Sequence, residues 1–147
     1  MQVFIENEAG SRQKNTYDER TLAHLRSETV SRAYPFPYGF VLGTRSGDGD
    51  AVDCFVITGE KRVSGATVAC DAVALLEQVE DGEIDHKILA VPAGAKADIG
   101  DDVLEALTDF ISGVFAHVPG KQMRIGRLLG REEAEAYVRA CRTDASG

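Results

Sequence analysis

The feature that most constrains this chain is a change of hydrophobic period late in its length. Up to about residue 91, the apolar stretches are short and rich in Val, Ile, Phe and Ala, covering residues 3–5, 38–42, 52–58, 66–76 and 87–91. Turn-forming clusters separate them at 46–50, 59–65 and 80–85, each carrying Gly with Asp, Ser or Glu. Short apolar runs between such punctuation read as β-strands. Beyond them, Val103, Leu104, Leu107, Phe110, Ile111, Val114 and Phe115 recur at steps of three and four, which marks one face of a helix. Asp101 or Asp102 is the expected N-cap, and Pro119 with Gly120 the expected stop. A short basic strand at 122–125 and a final helix at 131–142 complete the pattern. Strands first and helices afterwards exclude the strict βαβ alternation of a doubly wound sheet. They point instead to a small barrel or sandwich with helices packed on it.

With 147 residues, the chain has the size of a single domain, 1–147. It holds 24 acidic and 16 basic residues, a net charge of −8. That balance argues against nonspecific nucleic-acid binding, which needs cations along the phosphates. No apolar run approaches the roughly 20 residues that span a bilayer. No basic start followed by an apolar stretch marks a secretion signal in the first ten residues. Cys54, Cys70 and Cys141 are odd in number and widely spaced, so neither a disulfide framework nor a zinc site is expected. The expected compartment is a reducing cytoplasm.

The densest polar cluster is D-G-D-A-V-D, which places Asp48, Asp50 and Asp53 between a Gly turn and an apolar strand. Carboxylates so close repel one another unless cations or protons relieve them. The bland alternative is a solvated Asp-Gly turn. An EF-hand is excluded, because counting from Asp48 puts Asp53 where the loop needs Gly and Gly59 where it needs Glu. A second acidic group, Glu80, Asp81, Glu83 and Asp85, precedes Lys87 and another buried strand. Two such turns suggest a shared site for hard divalent cations, which prefer oxygen ligands. Lys14, Arg26, Tyr34 and Tyr38 add the cationic and aromatic groups that suit anionic oxygens. Taken singly, each of these is equally well a surface charge or a half-buried ring. There is no phosphate-binding G-x-x-x-x-G-K-[ST] loop and no G-x-S-x-G elbow, and His24, His86 and His117 are scattered.

In sequence order, I-E-N-E-A-G-S-R-Q-K (from Ile5), Arg26, Y-P-F-P-Y-G-F (from Tyr34), G-D-G-D-A-V-D (from Gly47) and E-D-G-E-I-D-H-K-I-L-A-V-P (from Glu80) resemble the family I soluble inorganic pyrophosphatases. The resemblance runs over about residues 3–127. It implies a mainly β (α+β) fold, a five-stranded OB-like closed barrel with flanking C-terminal helices. It also implies a magnesium-dependent enzyme, with manganese as a substitute, that hydrolyses pyrophosphate to two phosphates. A homo-oligomer, a hexamer in bacterial members, goes with it.

Carried over by position, the resemblance makes Asp48, Asp53 and Asp85 ligands of a first metal, with Asp53 bridging to a second. Asp50 becomes the general base on the shared water. Glu6 and Glu80 serve further metal, and Lys14, Arg26, Tyr38 and Lys87 contact substrate or metal-held water. The departures cluster on the other side of the substrate. Thr16 stands where the family has an acid, Glu80 is one methylene longer than the family Asp, and Asp71 replaces an Arg. Val118 and Pro119 occupy the places of the Tyr and Lys that hold the leaving phosphate, and Lys121, Arg124 and Arg127 are the nearest cations that could replace them. Two alternatives follow: a related phosphoanhydride hydrolase with an altered leaving-group pocket, or a non-catalytic paralogue that binds metal or phosphate.

Overall fold

The computed structural model describes residues 1–47, 49–96 and 99–143. The apolar runs become strands because nearly every residue in them is buried, alternately on one face and the other. In β1 (Gln2–Asn7), Val3 and Ile5 enter one core cluster while Phe4 faces a different one. In β5 (Asp53–Val56), Cys54 and Val56 join the first cluster, and Phe55 packs with the first helix. In β8 (Lys87–Pro92), Ile88 and Ala90 repeat the first pattern and Leu89 the second. Burial on both faces explains why these runs read as continuous rather than alternating.

β1 pairs antiparallel with β4 (Tyr38–Val41), β4 with β5, β5 in parallel with β8, and β8 antiparallel with β6 (Thr67–Glu80). β6 returns to β1 through Val3↔Val68, so the order β1-β4-β5-β8-β6 closes on itself as a ring of five strands. β6 continues into a hairpin with β7 (Glu83–Ile84) and also pairs with β9 (Met123–Leu129). The ring encloses one cluster, sealed at one side by Ala134 and Val138 of α2 (Arg131–Cys141). The other cluster lies outside it, between Phe55, Leu76 and Leu89 of the sheet and Leu107, Phe110 and Ile111 of α1 (Asp101–Gly113). The expected mainly β architecture with two C-terminal helices is the one observed.

Several boundaries differ from the sequence reading. The strand expected at 66–76 runs on to Glu80, and the one at 122–125 extends to Leu129. Gly100, without any side-chain hydrogen bond, is the N-cap of α1, while Asp101 and Asp102 sit in its first turn beside the positive end of the helix dipole. That helix stops at Gly113, well before Pro119, and turns follow it. The hairpin of β2 (Gln13–Tyr17) and β3 (His24–Thr29) is polar, and β3 is exposed throughout, so it carries no apolar period to betray it. The three cysteines are free thiols, Cys54 and Cys70 buried. Among the described residues, no helix is long and apolar enough to cross a membrane.

Candidate metal and phosphate site

The parallel pairing of β5 with β8 sets Asp53 beside Lys87, and Asp85 lies two residues before that lysine on the same side. The Lys87 ammonium donates to Asp53 Oδ2 at 2.6 Å, to Asp85 Oδ2 at 3.0 Å and to the Tyr38 hydroxyl at 3.2 Å. Its three protons thus have three acceptors, which is the condition for burying a lysine, here only 6% exposed. Tyr38 reaches this point because Gly39 follows it. A Cβ on Gly39 would overlap the Phe4 carbonyl oxygen, so only glycine lets β4 lie this close to β1.

One ammonium cannot neutralise two carboxylates. Burial pushes the Asp53 carboxyl up to about 7, against the pull of Lys87 and with a further push from Asp85. Burial acts upward on Asp85 too, but there Lys87 and hydrogen bonding win, and its carboxyl is held below the usual range. Desolvation alone would depress Lys87, yet the two carboxylates raise it to about 12. Glu6, at the end of β1, is raised by burial to about 7 although the Tyr17 amide donates to it at 3.3 Å. Burial also lifts Tyr34 and Tyr38 far above ordinary phenols, so both are neutral donors. Burial thus favours proton uptake on Asp53 and Glu6, while Asp85 is held in its charged form.

Asp50 comes from the connection between β4 and β5. The Ser46 amide donates to the Asp50 carbonyl at 2.7 Å, and the Glu19 carboxylate accepts from the Ala51 amide at 3.1 Å, which fixes both ends of the peptide group that follows Asp50. Glu80 comes from the end of β6, held by a two-residue turn in which Asp81 and Gly82 both have positive φ, 50° and 85°. Asp-Gly is the pair that such a hairpin turn favours. Facing Glu80 is Lys121, whose ammonium lies 2.6 Å from its Oε1 and 4.5 Å from the centre of the Phe115 ring. The hydrogen bond to Glu80 raises the Lys121 ammonium above the ordinary lysine value. Lys14 stands 5.9 Å from the same ring.

These groups line one cavity of about 300 Å³. Of the residues singled out in the sequence, Glu6, Lys14, Tyr38, Asp50, Asp53, Glu80, Asp85 and Lys87 all line it. Asp48 lies outside the described residues. Arg26 does not line it: it sits on exposed β3, across from Thr16, which does. Among the three cations that follow Pro119, Lys121 enters the cavity, whereas Arg127 is turned away in a two-pronged bond to Glu77, at 2.8 and 3.1 Å. Arg124 lines a neighbouring surface depression instead.

Asn7, Gln78 and Phe115 also line the cavity and were not anticipated. A signal for Gln78 existed: it shares the strand face of Leu76 and Glu80, where an apolar residue was due. The donors available to a metal are carboxylate oxygens, which suits a hard divalent cation rather than a soft one. Among the described residues, no three acidic, histidine or cysteine side chains converge closely enough to enclose an ion.

The fold is a five-stranded ring that carries an acidic cleft edged by lysines, the OB-like class of its structural neighbours. The inorganic pyrophosphatase family matches residues 3–146. An inorganic pyrophosphatase of Nanoarchaeum equitans is 31% identical over 148 residues, covering 93% of this chain and 92% of the relative. One from Nostoc is 30% identical over 139 residues, covering 90% and 82%. Among solved structures, the inorganic pyrophosphatase of Thermus thermophilus superposes with a TM-score of 0.87 at 27% identity, over 96% of this chain and 88% of that one. The chain belongs to the inorganic pyrophosphatase family, enzymes that hydrolyse pyrophosphate.

Proposed function

We propose that this chain hydrolyses inorganic pyrophosphate to two phosphates with magnesium, manganese serving as a substitute, and with Asp50 as the general base. The observation that carries the reading is the collection of Glu6, Asp50, Asp53, Glu80 and Asp85 with Lys14, Lys87 and Lys121 around one cavity. Asp53 and Asp85, with Asp48, would hold the metal nearest the attacking water, and Glu6 and Glu80 further metal. Bound divalent ions supply charge neutralisation for the phosphates and acidify the water that attacks. Asp50, a carboxylate on an exposed turn at the cavity, takes the proton from that water. Lys87 fixes the direction of the Asp53 and Asp85 oxygens, so these ligands need little reorganisation when charge develops. Lys14 and the neutral Tyr38 hydroxyl donate to phosphate oxygens.

On the leaving side, Lys121 does the work assigned elsewhere in the family to residues matched by Val118 and Pro119. With Glu80 engaged as a metal ligand, the Lys121 ammonium would be left to pair with the departing phosphate. Its position against the Phe115 ring keeps it at the cavity wall throughout. By the same family reading, the enzyme is a cytoplasmic homo-oligomer.

The test is phosphate release from pyrophosphate with and without magnesium, alongside nucleoside triphosphates and polyphosphate. Fast, magnesium-dependent release from pyrophosphate alone is expected. Full activity in excess chelator overturns the mechanism. Preference for a larger phosphoanhydride supports the second reading, which the apolar wall of Phe110, Val114 and Phe115 favours.

A further inference from the structure

Gln78 is 1% exposed, lines the cavity, and leaves both ends of its amide without a hydrogen-bond partner. A buried amide that no protein group satisfies is costly to keep, so a native fold retains it only for a reason. Its backbone offers none, being well satisfied: the amide donates to His86 Nδ1 at 3.1 Å and the carbonyl accepts from the Asp85 amide at 2.9 Å. The side chain lies on the face of β6 that looks toward α1 and the cleft, between Leu76 of the outer apolar cluster and Glu80 of the acidic cleft. Across the cavity, Asn7 shows the same feature at one end. Its oxygen accepts from the Asn15 amide at 2.7 Å, while its buried Nδ2 has no partner.

The cleft thus presents unspent N–H donors to whatever enters it. Pyrophosphate is the complementary ligand, because its oxygens only accept, and the water that accompanies it can donate to the Gln78 carbonyl oxygen. The side chain has no bond to break in turning toward such a ligand. We propose that Gln78 is a substrate-binding residue of this enzyme, its Nε2 donating to a phosphate oxygen and its Oε1 accepting from water carried in with the substrate. The proposal rests on pyrophosphate as the substrate, and it adds a neutral, donor-bearing wall to a site otherwise built of charges.

Gln78→Met removes both polar atoms at nearly constant volume. The expected result is an equal or higher melting temperature, a KM for magnesium pyrophosphate raised about tenfold and a smaller change in kcat, one lost hydrogen bond to a charged group being worth about that factor. Calorimetric binding of imidodiphosphate, which is hydrolysed poorly, should weaken by a similar factor. Gln78→Glu keeps an acceptor, loses the donor and adds negative charge, and should bind imidodiphosphate more weakly still. Unchanged KM and imidodiphosphate binding in Gln78→Met overturn the proposal, as does a Gln78→Glu protein that binds like the parent. A fall in melting temperature without a change in binding makes the amide a structural bond and overturns it as well. A parent that binds imidodiphosphate yet hydrolyses no pyrophosphate sinks the catalytic reading, while the Gln78 comparison still decides this one.

Discussion

The two walls of the cleft are built differently. One is carried by adjacent strands of the closed ring, Tyr38 on β4, Asp53 on β5 and Lys87 on β8 with Asp85 two residues before it, locked by hydrogen bonds of 2.6 to 3.2 Å. The other comes from the turns after α1 and the end of β6, where Phe115, Lys121 and Glu80 meet through a single ion pair. The first wall is fixed by ladder register, since Asp53 cannot move against Lys87 without unzipping β5 from β8. In the second, Glu80 pairs with Met123 in the ladder, but Phe115 and Lys121 come from the connection between α1 and β9, outside it, so one cation can be exchanged for another there. In the proposed mechanism, metal ligands that need precise geometry occupy the rigid wall, whereas charge on a departing phosphate needs only a nearby cation.

The largest expected effect falls on the turn that delivers Asp50 to the rigid wall. Asp50→Asn should fold and bind magnesium while losing ~10²–10⁴-fold in kcat, the usual cost of a missing general base. Near-normal turnover in the folded variant would remove Asp50 from the mechanism.

Next comes the buried lysine. Lys87→Met leaves Asp53 and Asp85 facing each other without their cation, and breaking a buried pair this way costs about 3–5 kcal/mol. Urea unfolding at neutral pH measures it, and acid should narrow the deficit as the carboxyls take up protons. A variant as stable as the parent at pH 7 would mean that the wall is not braced by Lys87.

On the flexible side the effect should be milder. Lys121→Ala is expected to lower kcat/KM by about 10- to 100-fold, from a charge-assisted bond of about 1.5–3 kcal/mol, with little change in melting temperature. Lys121→Arg should recover part of it. Parental kinetics in Lys121→Ala would show that the leaving side is served by another group.

How much of this was legible in the sequence follows the same division. Apolar runs with two buried faces predicted the five ring strands, and acidic turns entering them predicted Asp50, Asp53 and Asp85, because register and burial leave a pattern. Glu80 belongs to the same turn signal, yet its partner Lys121 could be given only as one of three cations, since an ion pair across a loop leaves no period. The β2–β3 hairpin escaped for a related reason: an exposed polar ribbon looks like a loop until its partner strand is known. Gln78 escaped because a polar residue at the end of an apolar strand resembles the start of a turn.

The smallest expected effect concerns the outer face of the β6–β9 corner. Arg127 holds the Glu77 carboxyl at about 2, chiefly by hydrogen bonding, against an ordinary 4.5. A depressed carboxylate stabilises the fold above pH 4.5, and that contribution disappears as the pH falls toward 2. Glu77→Gln should therefore show a slight loss of melting temperature at pH 6 that vanishes in strong acid, the pair being solvent-exposed. An equal loss at every pH would assign the effect to packing instead.

Closure of the ring also sets an order in time. The β1–β6 seam joins Val3 to Val68, and Asp53 meets Lys87 across an intervening hairpin, so neither contact is local. Chains dominated by such distant pairings fold slowly, because loop entropy is lost before any contact compensates for it. A growing chain cannot assemble the acidic cleft until β8 has been made and paired, and until then its carboxylates are scattered along separate segments. The catalytic centre is thus a late product of folding, and recovery of activity after dilution from denaturant should trail the appearance of secondary structure.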